Sequence, residues 1–204
     1  MIQSHVNTFG SAVMAGNSAA SSLEGFIHIS QNAFAQAALT FTSQSMGAKK
    51  PRRAERVFWA CMALSLGLGL VLCGLLLVFR APLLRFYSKP GEAAQAAVLA
   101  AGVVRVMVIG RFQWVGGLME TACNSLRGLG KSMNPTVTTL VGACGLRVIW
   151  IYTIFAHTGT IRSLYWSYPV SWTLTLTAHL VFLYRIRRSL QAGAACASQE
   201  GELL

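Results

Sequence analysis

Long stretches without a formal charge constrain the fold of this chain more than any other feature. Residues 57–79 and 163–184 contain no formal charge, stretches of 23 and 22 residues. A helix needs about 20 residues, at about 1.5 Å each, to cross about 30 Å of hydrocarbon. A soluble helix would also show a polar face every 3.6 residues, and the stretch from Cys61 to Phe79 shows none. The pattern therefore predicts membrane-spanning helices.

The composition agrees with a membrane protein and excludes several other classes. Charged residues make up 11% of the 204 residues, where roughly 25% is usual in a soluble domain. Hydrophobic residues make up 54%, which excludes a disordered chain or a disulfide-stapled secreted module. The net charge of +11 lies in short clusters between apolar stretches, whereas a nucleic-acid binder concentrates its charge on one polar face. We expect membrane lipid as a partner, and no nucleic acid.

The charged and helix-ending residues between the apolar stretches predict an all-α, polytopic transmembrane helix bundle with about five spans. The predicted spans are residues 15–46, 57–79, 94–126, 135–155 and 164–184. Arg105, Arg111 and Glu120 interrupt the third of them, and Pro169 lies one turn inside the fifth, where it predicts a kink or local unwinding.

The predicted domain organisation has three parts. Residues 1–13 form the end of a truncated helix and an external loop, and residues 14–188 form the transmembrane lobe. Residues 189–204 are small, polar and aperiodic, so we expect a disordered cytoplasmic tail.

The distribution of basic residues predicts the orientation in the membrane. One side of the predicted helices carries ten Lys and Arg and the opposite side carries four, with three more inside spans. The ten are Lys49, Lys50, Arg52, Arg53, Arg56, Arg127, Lys131, Arg185, Arg187 and Arg188. Because basic residues stay on the cytoplasmic side, we expect a cytoplasmic C-terminus in a multi-pass protein of the cell membrane.

Three motifs at helix ends resemble one transporter family. The first span closes with Gln44, then Gly47-Ala48, then the basic loop Lys49–Arg56. The sequence SLRGLGKSMNPTV follows at residues 125–137, and SYPVSW lies at residues 167–172. Their order and loop charges resemble the second lobe of multidrug and toxic compound extrusion (MATE) transporters. There they would be the end of a lobe's second helix, the junction of its fourth and fifth helices, and its last helix.

The resemblance implies a fold and a function larger than this chain. MATE transporters have twelve helices in two six-helix lobes, so the five spans would be helices eight to twelve. The N-terminal lobe and most of the seventh helix would be missing, and we expect the chain to be a fragment. The family implies export of small organic cations by alternating access, driven by Na+ or H+ as the coupling ion.

Two other functions stay open at this stage. One is a transporter of the same flippase superfamily with a lipid-linked or anionic substrate, whose lumen would be lined by Arg105, Arg111 and Arg147. The other is a non-transporting membrane scaffold. We expect no enzyme, no cofactor and no metal site, because no nucleophile–base set is visible and the five cysteines lack metal-ligand spacing.

The candidate binding residues are the polar and ionisable ones at membrane depth, since each is costly in lipid. Glu24 and His28 lie four residues apart on one face of the first span, and Gln31 and Asn32 extend the polar side. In one interpretation Glu24 is an ion site, because a carboxylate at this depth can release a proton when a cation replaces it. In the other, Glu24 pairs with an arginine and holds two helices together.

Two further candidates lie in the later spans. Glu120 shares a helix side with Asn124 and Arg127, so it is either an ion site or part of a local contact. Arg147 and Arg111 each lie about 20 Å from the cytoplasmic ends of their helices. Glu24 is the nearest acid by that depth, and we predict a structural ion pair between Glu24 and Arg147, with Arg111 as the alternative partner. Nearby aromatic residues suit an outer interfacial belt or stacking on a flat cation: Tyr165, Trp166, Tyr168 and Trp172.

Overall fold

The computed structural model describes residues 11–87 and 95–201, and all regular structure in these residues is helical. The last part of the predicted segment 1–13 is helical, because the first helix begins at Ser11, while residues 1–10 lie outside the described residues. The helices are α1 (Ser11–Gly47), α2 (Pro51–Val78), α3 (Arg80–Tyr87), α4 (Gln95–Val108), α5 (Gln113–Gly128), α6 (Met133–Thr158) and α7 (Ile161–Gly201).

Three helices of the described residues are long and apolar enough to cross a membrane. They are α2, the combined helix Gln95–Gly128 made by α4 and α5, and α6. The first and last predicted spans lie within α1 and α7, helices of 37 and 41 residues. These two helices are less apolar, because each carries a row of polar residues. That row faces the interior of the protein rather than its surface. Buried examples are Asn17, Glu24, Gln31, Ser167, Ser171, Thr175 and His179.

The interruption predicted in the third span lies between α4 and α5. A single 3-10 turn, Gly110–Phe112, joins the two helices and places Arg111 at the exposed surface. A tight turn of this kind often marks a hinge or local strain in a helix. The break separates Arg105 on α4 from Glu120 on α5.

Helix α6 is irregular at two places. It contains π-helical turns at Leu140–Gly145 and Ile151–Phe155, and a short α-helical segment, Leu146–Trp150, separates them. Pro135 lies in the first turn of α6, where the missing N–H group costs no helical hydrogen bond. The segment between the two π turns carries Arg147.

Helix α7 differs from its prediction in two respects. It continues through Pro169 as α-helix, so the local unwinding expected there is absent. The hydroxyl groups of Ser167, Ser171 and Thr173 donate to the backbone carbonyls of Leu164, Tyr168 and Pro169, respectively. The tail predicted to be disordered is instead helical as far as Gly201, since Ala, Leu and Gln favour helix and no proline follows.

Close packing of α1 positions the polar residues of the bundle. Helix α1 contacts α2, α4 and α5, and small residues allow the backbones to approach. A Cβ atom on Gly16 would lie 2.9 Å from the backbone nitrogen of Gly102 on α4. This approach brings Asn17, the next residue of α1, within reach of Arg105, one turn further along α4.

Candidate functional site

A buried polar network joins α1, α4 and α7. The Glu24 carboxylate accepts hydrogen bonds from Arg105 Nε at 3.1 Å to each oxygen, and from Arg105 Nη2 at 2.7 Å to Oε2. Arg105 Nη1 donates to Asn17 Oδ1 at 2.6 Å, and the Tyr165 hydroxyl donates to the same oxygen at 3.1 Å. The Glu24 and Arg105 side chains are 7% and 8% exposed. Glu24 therefore has a buried, bidentate partner.

The partner of Glu24 differs from the predicted one. We expected Arg147, but Arg147 lies 14 residues from Met133, the start of its helix, or about 21 Å. Glu24 lies 23 residues before the end of α1 at Gly47, and Arg105 lies 23 residues before the end of α5 at Gly128. Both residues therefore lie about 35 Å from the C-terminal ends of their helices. The equal number of residues from Glu24 and from Arg105 to the helix ends is the feature of the sequence that identifies Arg105 as the partner of Glu24.

A serine-lined cleft adjoins this network. Its volume is about 310 Å³, and its lining residues are Asn17, Ser18, Ser21 and Ser22 of α1. The Asn17 side chain thus has the Arg105 contact on one side and the cleft on the other. Sequence reasoning did not identify Asn17, whose only signal is an amide inside a span, or the role of Tyr165 as its hydrogen-bond donor.

A second polar pair links α1 to α5 and is more accessible. His28 Nε2 lies 3.7 Å from Glu120 Oε1, and the two side chains are 45% and 29% exposed. The other Glu120 oxygen, Oε2, is buried and has no hydrogen-bond partner among the described residues. The predicted local contact is formed between its two other members, because Arg127 Nη1 donates to Asn124 Oδ1 at 3.4 Å. The carboxylate of Glu120 contacts the neighbouring helix instead.

The two amide candidates on α1 have different environments. Gln31 is fully buried between Gly69 of α2 and Gly117 of α5, and in the part of the chain that the structure describes its amide nitrogen and oxygen have no hydrogen-bond partner. Asn32 is partly exposed and accepts a hydrogen bond from Gln36 at 3.3 Å. Only Gln31 lies in the bundle interior. The absence of a side chain at both glycines makes room for its amide.

Arg147 lies apart from both pairs, against α7. Its Nε donates to Ser171 Oγ at 3.0 Å, and its guanidinium carbon lies 4.1 Å from the Tyr168 ring centroid and 5.8 Å from that of Trp172. The three arginines of the anionic-substrate alternative are thus in different environments. Arg105 pairs with Glu24, Arg111 is exposed at the helix break, and Arg147 stacks on aromatic rings.

The described residues contain no group of three or more His, Cys, Asp or Glu that could hold a metal ion. The available chemistry is therefore that of carboxylate, imidazole, amide and guanidinium groups at membrane depth. Such groups bind or exchange ions and orient charged ligands. The helical bundle, its apolar spans and these inward polar groups define a polytopic membrane protein.

Comparison with known proteins identifies the family. The MatE family model matches residues 1–153, three quarters of the chain, and the chain therefore belongs to the MatE family of transporters. A crystal structure of MATE in complex with MaL6 has the same fold, with a TM-score of 0.77 and 17% sequence identity over 92% of this chain. The chain spans 42% of the length of that protein. A search of curated proteins finds no significant match.

Proposed function

We propose that the chain forms the second lobe of a secondary antiporter that exports small organic cations across the cell membrane. Membership of the MatE family and the MATE fold support a transporter, and the chain's coverage of 42% of the matched protein suits one of two lobes. The N-terminal lobe would be its partner, and alternating access would be the rocking of the two lobes around a central site. The C-terminus would be cytoplasmic.

The observation that carries this proposal is the pair formed by His28 and Glu120. An exchangeable carboxylate has to be reached from an aqueous cavity, and it has to have capacity to bind an incoming ion. The Glu120 side chain is 29% exposed, and one of its oxygens has no hydrogen-bond partner within residues 11–87 and 95–201. In contrast, Glu24 is 7% exposed and both of its oxygens accept from Arg105. Glu120 is therefore the better exchange site in this lobe, and Glu24 the better structural one.

The chemistry of the pair fits coupling of an ion to a cationic substrate. Protonation of His28 would give Glu120 a positive neighbour at 3.7 Å. A sodium ion or an organic cation at Glu120 would be repelled by that charge, so binding of the cation and protonation of His28 would oppose each other. Opposed binding of two cations at one site is what an antiporter requires.

The test is efflux of a fluorescent cation, ethidium, by the two-lobe transporter that contains this chain, under imposed sodium and proton gradients. Glu120→Gln should abolish the dependence of efflux on the gradient, and His28→Gln should change its pH profile. Glu55→Gln is the matched control, because Glu55 pairs with Arg187 in an exposed contact and its loss should leave coupling unchanged. A Glu120→Gln protein that keeps full gradient dependence would remove the pair from the mechanism.

A further inference from the structure

Arg147 carries a charge in the middle of an apolar span. It lies 14 residues after Met133 and 11 before Thr158, or about 21 Å and 17 Å from the ends of α6. Burial of a charge at this depth is costly unless the charge meets an opposite charge, polar groups or water. The neighbours of Arg147 therefore determine how its charge is compensated.

The described residues provide polar and aromatic partners for Arg147 but no acid. The three acidic side chains that form ion pairs in the described part of the chain have other partners: Glu24 has Arg105, Glu55 has Arg187 and Glu120 has His28. The sequence contains no Asp. The contacts of Arg147 are its hydrogen bond to Ser171 and its stacking on Tyr168 and Trp172.

These contacts hold the guanidinium in one orientation and leave part of it free to bind. Ser171 accepts from Nε, and Tyr168 lies under one face of the group. The two terminal nitrogens of an arginine form a planar fork that matches the two oxygens of a carboxylate. In the described residues no hydrogen bond is formed by either terminal nitrogen of Arg147. The fork is thus positioned but has no acceptor.

The backbone around Arg147 is also unusual. The segment Leu146–Trp150 lies between two π-helical turns, and π turns in α-helices are frequent at functional sites. Arg147 itself is only partly buried, so its guanidinium can be reached from outside the described helices. Arg147 lies near the middle of the span, away from the phosphate layer of the lipids. A ligand that reaches it is therefore more apolar than a lipid headgroup.

We infer that Arg147 is the anchor of a binding site for the carboxylate of a small aromatic molecule. The carboxylate is held by the two terminal nitrogens of Arg147, and the aromatic part lies in the apolar surroundings beside Trp172. Ser171 is a positioning residue, because it fixes the fork through Nε. This site lies on α6 and α7, whereas the proposed exchange pair lies on α1 and α5, and it does not depend on cation export.

The test compares an anionic probe with a neutral probe that has the same aromatic ring system. The chain is purified in dodecyl maltoside, and binding of 2-naphthoate and of the neutral 2-naphthalenemethanol is measured by isothermal titration calorimetry. We expect the carboxylate to bind at least tenfold more tightly than the alcohol. Arg147→Gln should make the two affinities equal, while Arg147→Lys, which keeps the charge without the fork, should retain a smaller preference. Arg111→Gln is the control, because Arg111 is exposed at the break, and it should keep the full preference.

Two results would overturn the inference. The first is equal binding of the two probes by the unchanged chain. The second is an undiminished preference for 2-naphthoate in Arg147→Gln. If Arg147→Gln loses its helical circular dichroism, Arg147→Lys and Ser171→Ala replace it, and Ser171→Ala should weaken 2-naphthoate several-fold and leave the alcohol unchanged. An unchanged preference in both of these variants would likewise refute the site.

Discussion

The ion pair between Glu24 and Arg105 makes a sharp prediction about stability. Glu24→Gln keeps the shape of the side chain and removes the negative charge that neutralises Arg105. Three hydrogen bonds from Arg105 reach the carboxylate, at 2.7–3.1 Å, and both side chains are less than a tenth exposed. Removal of one partner of a buried pair costs about 3–5 kcal/mol, because the other charge is left buried without compensation.

The magnitude depends on the stranded arginine rather than on the lost glutamate. The hydrogen bond from Arg105 to Asn17 would remain, and the amide oxygen of the introduced glutamine can still accept from Arg105, but neither group supplies the negative charge that neutralises the guanidinium. The double variant Glu24→Gln, Arg105→Gln has no buried charge, so it should recover most of the loss. We therefore expect each single variant to be less stable than the double variant, by about 2 kcal/mol or more.

The assay is reversible unfolding of the chain in mixed micelles, by titration with sodium dodecyl sulfate and measurement of helical circular dichroism. Glu120→Gln is the matched control, because it makes the same chemical change at a partly exposed pair, where about 1 kcal/mol or less is expected. A loss below about 1 kcal/mol for Glu24→Gln would refute the structural role. So would a double variant no more stable than the single variants. Glu24 would then again be a candidate ion site.

Three further predictions concern packing, hydrogen bonding and topology. Gly117→Ala should destabilise the chain by about 1–3 kcal/mol, because its Cβ atom would overlap the Gln31 amide. The control Gly67→Ala meets no atom within 4 Å and should be neutral or stabilising by up to about 1 kcal/mol in the same titration. Tyr165→Phe should cost about 1 kcal/mol, since it removes one buried hydrogen bond, and a change below the error of the titration would contradict this. A cysteine placed within Ser45–Lys50 should be protected from an impermeant maleimide in intact cells, and modification there would reverse the proposed orientation.

The helices of this chain could be predicted from local patterns, and their irregularities only in part. Charge-free stretches of about 20 residues, at 57–79 and 163–184, identify α2 and α7, because hydrocarbon excludes charge over a known thickness. The charges of Arg105, Arg111 and Glu120 marked the third span as interrupted, but they did not predict a break in the helix at Gly110–Phe112. The two π turns of α6 have no such signal, because the residues of Leu140–Gly145 and Ile151–Phe155 also suit an ordinary apolar helix.

The candidate site was predictable in its residue types and not in its pairs. The structure buries Glu24 and Gln31 and leaves Glu120 partly exposed, and their roles as binding residues stay predictions. Which residue contacts which was a different matter. We predicted Arg147 as the partner of Glu24, but helix lengths and crossings place Arg105 there, and Glu120 contacts a residue of another helix rather than its own neighbours.

The sequence by itself determined that this is a helical membrane protein. The preference for water or for hydrocarbon is a property of each residue, and these preferences add up along a helix. Charge at membrane depth marked Glu24, Glu120 and Arg147 as costly positions whatever their neighbours. Only the tertiary structure decided their partners, because a contact depends on the relative rotation and depth of two helices. For α1, rotation and depth are fixed by the close backbone contact at Gly16 and by the Gln31 amide, which lies between Gly69 and Gly117. As a result, the carboxylate of Glu24 is buried against Arg105. His28, four residues further along α1, contacts the more accessible carboxylate of Glu120.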